Sequence, residues 1–297
     1  MAEELLTKIL LATDGSKDAT LAARAATDLS LKSGAELHVA HIWHIPTGAW
    51  PTVPDIYSSY YELQREEVLA EQVKEIESFG GTVAESHLRT RGAVADELLY
   101  LAREVDAELI VMGSRGAGRL RKLATGSVSE GVAHHAHIPV LMMRGGENAW
   151  PPKHVIVGED GSEPARKAGE LAAKVAKFTE AGMTLVRAYP ELPVVYEEGR
   201  RMDPRMTDDE LRRAEKELGD RAGEIESETG NRPKIAIAVG DAAEDLVETA
   251  GGKGGESTLI AVGSRGMGPI KRFRMGSVST KILRASEGPV LVYPAEA

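Results

Sequence analysis

The chain has 297 residues, 42% hydrophobic and 28% charged, which is typical of a soluble globular protein and long enough for two domains. A net charge of −10 and an aromatic content of 4% argue against a general nucleic-acid binder or a binder of anionic membranes, since both need a basic face. The chain has no cysteine, which excludes disulfides, thiolate zinc sites and thiol catalysis.

The N-terminus, Met1-Ala2-Glu3-Glu4, is acidic and leads directly into a strand-like run. A secretory signal peptide would begin basic and continue apolar. No apolar run approaches the ~20 residues of a membrane span. We therefore expect a cytoplasmic protein that binds neither membranes nor nucleic acid.

Strand and helix patterns alternate strictly along the chain. Strands are predicted at 7–13, 36–43, 82–88, 107–112 and 139–143, and helices at about 17–33, 59–79, 94–105 and 127–136. The second half repeats the strands at 154–159, 183–189, 234–238, 257–262 and 289–293. The nearly all-apolar runs at 109–112 and 259–262 are typical of strands covered by helices on both faces. This alternation predicts an α/β fold with a parallel, doubly wound five-stranded sheet in each half.

The two halves are copies of one sequence. The matched stretches are Lys8–Ser16 with His154–Ser162, Ala107–Gly116 with Ser257–Gly266, and Pro139–Leu141 with Pro289–Leu291. Glycine and proline cluster near Gly145–Lys153, between the last strand of one copy and the first strand of the next. This seam predicts one domain at 1–147 and a second at 148–297.

Each copy contains a glycine-rich loop of the form G-x2-G-x9-G-S, which begins at Gly113 in the first half and 150 positions later at Gly263 in the second. Such a loop presents backbone N–H groups to a phosphate, and Gly113 and Gly116 would allow positive φ and close backbone approach. The next helix begins with an electropositive first turn at Ser127, Val128 and Ser129. For a single copy, a plain turn with Ser127 as N-cap explains the pattern equally well. The same spacing in two copies with different surroundings favours ligand binding.

The first predicted strand of each half ends at an aspartate, Asp14 or Asp160. Ligands of open α/β sheets bind beyond the carboxyl ends of the strands, where the strand order reverses. If the first and fourth strands are neighbours there, the aspartate faces the glycine loop and can accept hydrogen bonds from a base amine or a ribose hydroxyl. Alternatively, the D-G-S sequence only initiates the following helix, and the two roles are compatible.

On these motifs both halves resemble the universal stress protein family, in the subclass that binds ATP through G-x2-G-x9-G-[ST]. The resemblance covers essentially the whole chain and implies two tandem Rossmann-like domains with strand order 3-2-1-4-5. It implies that Asp14 and Asp160 contact the adenosine portion of ATP. It further implies that the ends of the second strands, Ile42 and Ala188, contact adenine through their backbone, although Ala188 is smaller than the branched aliphatic residue usual there.

The resemblance also implies which loop residues hold the ribose and phosphates, together with the helix turns that contain Val128 and Val278. These residues are Gly113, Gly116, Gly126, Ser127 and Ser129 in the first half, and Gly263, Gly266, Gly276, Ser277 and Ser279 in the second.

The glycine loop is not a Walker loop, because no G-K-[ST] follows the glycines. The chain also lacks an obvious base or a pair of carboxylates for Mg²⁺, so the sequence gives no strong case for phosphoryl transfer. We expect a stress-response protein that acts through bound ATP, with or without Mg²⁺, and that is at most a slow ATPase. The alternative is a nucleotide-dependent transferase or hydrolase on the same fold, although Asp14-Gly15-Ser16 is not the H-x-G-H motif of nucleotidyl transferases.

Basic residues in and near the loops have two interpretations. Arg115 and Arg265 either pair with phosphate or are solvated surface residues. The same choice applies to Arg119, Arg121 and Lys122 in the first half, and to Lys271, Arg272 and Arg274 in the second. Two proline-rich segments, Ile45–Tyr61 and Pro190–Thr207, either cover the mouths of the sites or are variable surface loops.

Three histidines, His134, His135 and His137, lie at the end of the fourth predicted helix, where positive charge suits the helix dipole. They raise the hypothesis of a metal site. None of the equivalent positions in the second half is a histidine, so the cluster is not part of the repeated site. We therefore predict no metal ligands.

The fifth strands of the two halves are apolar sheet edges, and such edges are usually paired. In relatives these edges commonly pair between subunits, so the resemblance implies that the two copies pair within one chain. Whether two chains then form a homodimer stays open. The duplication also suggests that the two nucleotide sites pack together as a pair.

Overall fold

The structure is a computed structural model that describes residues 6–43, 55–90, 92–116, 126–190, 195–197, 200–202, 208–251, 255, 257–266 and 275–295, with the backbone alone at 55–62, 195–197, 200–202 and 208. The first half contains β1 (Lys8–Thr13), α1 (Lys17–Ser33), β2 (Glu36–Ile42), α2 (Asp55–Ser78), β3 (Glu85–Arg89), α3 (Val94–Glu104), β4 (Leu109–Gly113), α4 (Ser127–His135) and β5 (Val140–Met143). After a short 3-10 turn at Glu147–Ala149, the second half contains β6 (His154–Gly158), α5 (Glu163–Thr179), β7 (Gly182–Tyr189), β8 (Val195–Glu197), β9 (Arg200–Met202), α6 (Asp208–Thr229), β10 (Lys234–Val239), α7 (Ala242–Thr249), β11 (Thr258–Gly263), α8 (Ser277–Ala285) and β12 (Val290–Tyr293).

Among the described residues, ten strands form one continuous sheet in the order β10-β7-β6-β11-β12-β5-β4-β1-β2-β3. Each half therefore has the strand order 3-2-1-4-5, and its strands are parallel. The halves join where β5 and β12 pair antiparallel, with Leu141 opposite Leu291. The predicted α/β fold, its strand order and the internal pairing of the fifth strands are confirmed.

The antiparallel pairing of β5 and β12 makes the strands of the two halves run in opposite directions. The carboxyl ends of β4 and β11, where the glycine loops begin, therefore point in opposite directions along the strands of the ten-stranded sheet. The suggestion that the two sites pack together is wrong. Contacts between the halves come instead from neighbouring elements, such as the ion pair of Arg284 in α8 with Glu130 in α4 and the hydrogen bond from Arg144 Nη1 to the Ser286 carbonyl at 2.8 Å.

Two apolar layers cover the sheet, one on each face. Helices α1, α2, α5 and α6 pack on one face, and this layer runs through both halves, including Leu141 and Leu291 at the seam. Helices α3, α4, α7 and α8 pack on the other face. The all-apolar runs of β4 and β11 are buried between these layers, as their composition predicts.

The segment between the halves is anchored to the first half. Trp150 is one of the largest fully buried side chains, with 2% of its surface exposed. Its indole Nε1 donates a hydrogen bond of 3.1 Å to Asp28 Oδ2 in α1. The seam is therefore a packed part of the core rather than a free linker.

The proline-rich segments lie partly outside the described residues. Residues 45–54 of the first segment are not described, and the rest forms the start of α2. In the second segment β8 and β9 pair antiparallel as a separate two-stranded ribbon. Every helix in the described ranges is too short or too polar to cross a bilayer.

Candidate functional site

A cleft opens in each half at the carboxyl ends of the first and fourth strands, which are neighbours in the sheet. The first cleft has a volume of about 1080 Å³ and the second about 500 Å³. The first is lined by every residue that the sequence predicts for it: Asp14, Ile42, Gly113, Arg115, Gly116, Gly126, Ser127, Val128 and Ser129. The second is likewise lined by Asp160, Ala188, Gly263, Arg265, Gly266, Gly276, Ser277, Val278 and Ser279.

The aspartate turn and the glycine loop are tied together across each cleft. Ser16 Oγ donates to the Arg115 carbonyl at 3.2 Å, and Ser162 Oγ donates to the Arg265 carbonyl at the same distance. The helix-initiating role of the D-G-S sequence is present, whereas the role of the aspartate in binding a ligand stays a prediction. Asp14 Oδ1 accepts the Ser16 N–H at 3.0 Å, and Ser16 caps α1 by accepting the Ala19 N–H at 3.2 Å. Gly15 between them has a φ of +74°, a conformation that favours glycine.

The glycines that begin each loop permit close approach rather than an unusual backbone angle. A β-carbon at Gly113 would lie 2.9 Å from the backbone nitrogen of Ala19 at the start of α1, and one at Gly263 would lie 2.7 Å from that of Ala165. Neither Gly113 nor Gly116 has a positive φ, so this part of the prediction is wrong. The close approach to α1 and α5 is what requires glycine there.

The helix behind each loop begins one residue earlier than the capping interpretation expects. Gly126 is the N-cap of α4 and Gly276 that of α8, so Ser127 and Ser277 are the first helical residues rather than the caps. No side chain of the described residues caps either helix. As far as the described residues show, the first-turn N–H groups are therefore open to an anion, in the positive end of the helix dipole.

Ser129 and Ser279 line the clefts, but their hydroxyls bond to the loops. Ser129 Oγ lies 3.0 Å from the carbonyls of both Gly113 and Ser114, and the hydroxyl donates to them. Ser279 Oγ lies 2.9 Å from the Ser264 carbonyl. Both hydroxyls are buried, so these serines position the loop, whereas Ser127 is exposed at the cleft.

Arg115 matches neither of its two interpretations in full. Its side chain is half exposed, and its Nε donates to Asp18 Oδ2 at 3.2 Å. The same carboxylate oxygen accepts the Arg115 N–H at 3.2 Å and the Ser114 hydroxyl at 3.1 Å. Asp18 thus holds the start of the loop, and the second half has Pro164 at this position.

Several residues of the first cleft were not predicted, among them Thr13, His41, Trp43 and Arg65. Arg65 Cζ lies 5.6 Å from the centre of the Trp43 ring. Trp43 Nε1 and Arg65 Nε are buried without a hydrogen-bond partner among the described residues. Trp43 directly follows β2, and a position at a strand end could have predicted it as a cleft residue. Arg65 lies within α2, where no sequence pattern indicated a place in the cleft.

His41 is held beside Asp14 by a backbone contact. Its Nδ1–H donates to the Thr13 carbonyl at 2.8 Å. Burial lowers the pKa of His41 below its usual value, and this effect outweighs the opposing hydrogen bond. The ring is therefore neutral at physiological pH.

The second cleft differs from the first by a buried carboxylate. Glu159 lines it in place of Thr13 and is 5% exposed. One carboxylate oxygen accepts the Gly161 N–H at 3.1 Å, while Oε2 lies 3.9 Å from Arg221 Nε without a hydrogen bond among the described residues. Burial raises the pKa of Glu159, opposed by the Gly161 N–H and by the charges of Arg221 and Arg187.

The predicted histidine cluster does not converge on one point. His134 Nε2 lies 3.9 Å from Glu130 Oε1, and His135 Nδ1–H donates to the Gly131 carbonyl at 2.9 Å. His137 Nδ1 lies 3.4 Å from Arg103 Nε. The six basic residues of the loop interiors lie outside the described residues; they are Arg119, Arg121, Lys122, Lys271, Arg272 and Arg274.

Comparison with known proteins identifies the family. The model of the universal stress protein family matches residues 6–144 and again 152–294. The chain is 27% identical over 292 residues to the universal stress protein Rv2005c of Mycobacterium tuberculosis, covering 96% of each protein. It is 38% identical over 140 residues to a universal stress protein of Thermus aquaticus, covering 46% of this chain and 97% of that protein.

The fold comparison agrees with the sequence comparison. The crystal structure of a universal stress protein from Archaeoglobus fulgidus aligns with a TM-score of 0.67 and 25% identity, covering 98% of this chain and 96% of that one. The chain belongs to the universal stress protein family, with two family domains in tandem.

Proposed function

We propose that each half holds one ATP, with adenosine beside the aspartate turn and the phosphates against the glycine loop. The protein then acts in a stress response through its nucleotide-bound state. The observation that carries this proposal is an uncapped helix N-terminus behind a glycine loop that is tied to an aspartate turn, present in both halves. The match of both loops to the G-x2-G-x9-G-[ST] pattern supports ATP as the ligand.

The phosphate half of the site rests on backbone groups. The first-turn amides of α4 begin at Ser127, and Gly126 before them carries no side chain that would cover them. Uncapped amides in the positive end of a helix dipole are a general site for phosphate. The hydroxyl of Ser127 lies beside these amides and supplies a further donor.

The adenosine half of the site is less polar. Ile42, Val94, Leu98 and Met112 line the first cleft, a wall that suits the faces of a purine. The Nε1–H of Trp43, which has no hydrogen-bond partner among the described residues, supplies a buried donor at the end of β2. In the second cleft Ala188 and Val186 provide a smaller surface at the corresponding strand end.

Mg²⁺ would fit the first cleft only if it were bound partly by the phosphates of ATP. Such an ion usually keeps several waters and takes one or two carboxylates. Two carboxylates line this cleft: Asp18, whose Oδ2 accepts three hydrogen bonds from Ser114 and Arg115, and Asp14, whose Oδ1 accepts the Ser16 N–H. With no lysine at the Walker position, we propose that ATP is held and at most slowly hydrolysed.

We also propose that the two domains span 1–147 and 148–297. The same proposal places the protein in the cytoplasm, where ATP is plentiful. Binding of nucleic acid or membranes is not part of it. A homodimer, if formed, would use a surface other than the fifth-strand edges, because β5 and β12 already pair with each other. Light scattering of the purified chain measures this directly.

The experiment that tests the proposal is release of bound nucleotide from denatured, purified protein. We expect adenine nucleotide approaching two molecules per chain after incubation with ATP. No adenine nucleotide after that incubation would refute the proposal. Multiple-turnover hydrolysis at ordinary enzyme rates, about 1 s⁻¹ or faster, would favour the alternative transferase or hydrolase.

A further inference from the structure

Two histidines and a glutamate converge on one face of the outer strands β2 and β3, at the end of the strands away from the first cleft. In the sheet register His38 lies opposite Glu85, and His87 is two residues further along β3. His38 Nδ1 lies 3.2 Å from His87 Nε2. Glu85 Oε2 lies 4.0 Å from the first of these nitrogens and 3.9 Å from the second.

These distances suit a small cation between the three side chains. Two imidazole nitrogens bound to Zn²⁺ at about 2.0–2.1 Å with tetrahedral angles lie roughly 3.3 Å apart. The separation of the His38 and His87 nitrogens, 3.2 Å, is close to that value. The Glu85 side chain is 63% exposed, so a small rotation brings its carboxylate into reach without disturbing the core.

A second observation comes from the other ring nitrogen of His38. Its Nε2 is buried without a hydrogen-bond partner among the described residues. The carboxylate of Glu36 lies 3.7 Å away and is exposed, so it can move to accept this N–H. A carboxylate that binds the outer N–H of a metal-bound histidine fixes the ring and strengthens it as a ligand.

The second half shows that the fold does not need this cluster. By the matched sheet registers, the positions of Glu36, His38, Glu85 and His87 correspond to Gly182, Thr184, Lys234 and Ala236. A lysine and an alanine there remove the metal-binding character completely. The cluster is therefore an addition to the first half rather than a requirement of the sheet.

We propose that His38 Nδ1, His87 Nε2 and the Glu85 carboxylate bind one Zn²⁺, with water as the fourth ligand and Glu36 orienting His38. Three protein ligands with an open position are a common zinc arrangement. The ion links the edge strand β3 to β2 and stabilises this edge of the sheet.

The test is zinc binding by the full chain, measured by competition with a chromophoric chelator and by metal analysis after dialysis. The variants take the residues of the second half, His38→Thr and His87→Ala, and His135→Ala removes an exposed histidine elsewhere as a control. We expect one Zn²⁺ per chain in the wild type and in the control. Each ligand variant should bind at least about 10-fold more weakly.

Glu85→Lys keeps the test decisive if a histidine variant fails to fold, because Glu85 is exposed. It should also weaken zinc binding about 10-fold or more and abolish the rise in melting temperature that zinc gives the wild type. Equal zinc binding by the wild type and the folded variants would overturn the proposal and leave a neutral pair of hydrogen-bonded histidines. Zinc that is bound by nucleotide would still be bound after these substitutions. That result would also contradict the proposed zinc site.

Discussion

Gly116 lies directly against Asp14, so that a β-carbon at position 116 would sit 2.6 Å from Asp14 Oδ2. Gly266 stands in the same relation to Asp160, with an even closer approach. The glycine loop therefore meets the aspartate turn at a place where any other side chain would have to displace the aspartate carboxylate. This contact brings the proposed phosphate half and adenosine half of each site together.

Gly116→Ala should weaken ATP binding at the first site by about tenfold or more. The new methyl group must push the Asp14 carboxylate away from the position that we assign to adenosine. Stability should change little, because the displaced atoms are the end of a side chain. Calorimetric titration with ATP and a urea melt measure the two effects.

Gly219→Ala is the matched control, since nothing lies within 4 Å of a β-carbon at this position in α6. It should leave ATP binding unchanged and stabilise the helix by about 0.5–1 kcal/mol. Unchanged ATP affinity in Gly116→Ala would contradict the assignment of Asp14 to the ligand.

Glu159→Thr should strengthen ATP binding at the second site, and the wild-type second site should be the weaker of the two. The buried carboxylate lines that cleft and repels an anionic ligand. Arg187 keeps its ion pair with Glu217, and Arg221 keeps its pair with Glu224. The reciprocal change Thr13→Glu should weaken ATP binding at the first site. Calorimetric titration of both variants with ATP tests the two predictions. A loss of affinity in Glu159→Thr would show that the carboxylate binds the ligand.

Trp150→Ala should lower the free energy of unfolding by about 3–5 kcal/mol, the usual cost of a large cavity. The side chain is fully buried and joins the seam to α1 through Asp28. Trp150→Phe keeps most of the packing and loses the hydrogen bond, which costs about 1 kcal/mol. Urea unfolding of both variants measures the difference. A loss below about 1 kcal/mol in Trp150→Ala would mean that the seam is not part of the core.

The free energy of unfolding should fall as the pH drops below about 6.5. Burial lowers the pKa of His41, so the unfolded chain binds a proton at a pH where the folded chain does not. The same direction holds for His87, His134, His137 and His154. Glu159 acts oppositely, because a raised carboxyl pKa favours the folded state as the pH falls.

Urea melts at pH 7.5 and 5.5 test this direction, and His41→Gln should remove part of the difference. Stability that is constant or rises toward pH 5.5 would show that the histidines do not control it.

Much of the architecture follows from sequence order. The alternation of runs such as 109–112 with helical patterns gives the two doubly wound sheets, and the repeated spacing from Gly113 to Ser127 gives the loops. All predicted cleft residues come together because they lie at strand ends or helix starts, which parallel strands bring to one edge. Their role in binding stays a prediction.

The sequence did not reveal features that depend on packing between distant elements. Arg65 reaches Trp43 from a helix, and Arg221 reaches Glu159 across more than 60 positions, with no local pattern for either contact. The opposite placement of the two sites depends on the direction in which β5 meets β12, which composition does not specify. The need for glycine at position 113 comes from the close approach of α1, which is also a contact between distant elements.

The most direct test of two ATP sites per chain is a calorimetric titration of the wild type, Gly126→Ala, Gly276→Ala and the double variant. A β-carbon at either glycine meets its nearest neighbours at 3.3 Å or more, so the variants should fold. We predict two ATP molecules per chain in the wild type, one in each single variant and none in the double variant. A wild type that binds no ATP, or a folded double variant that still binds two, would contradict the account.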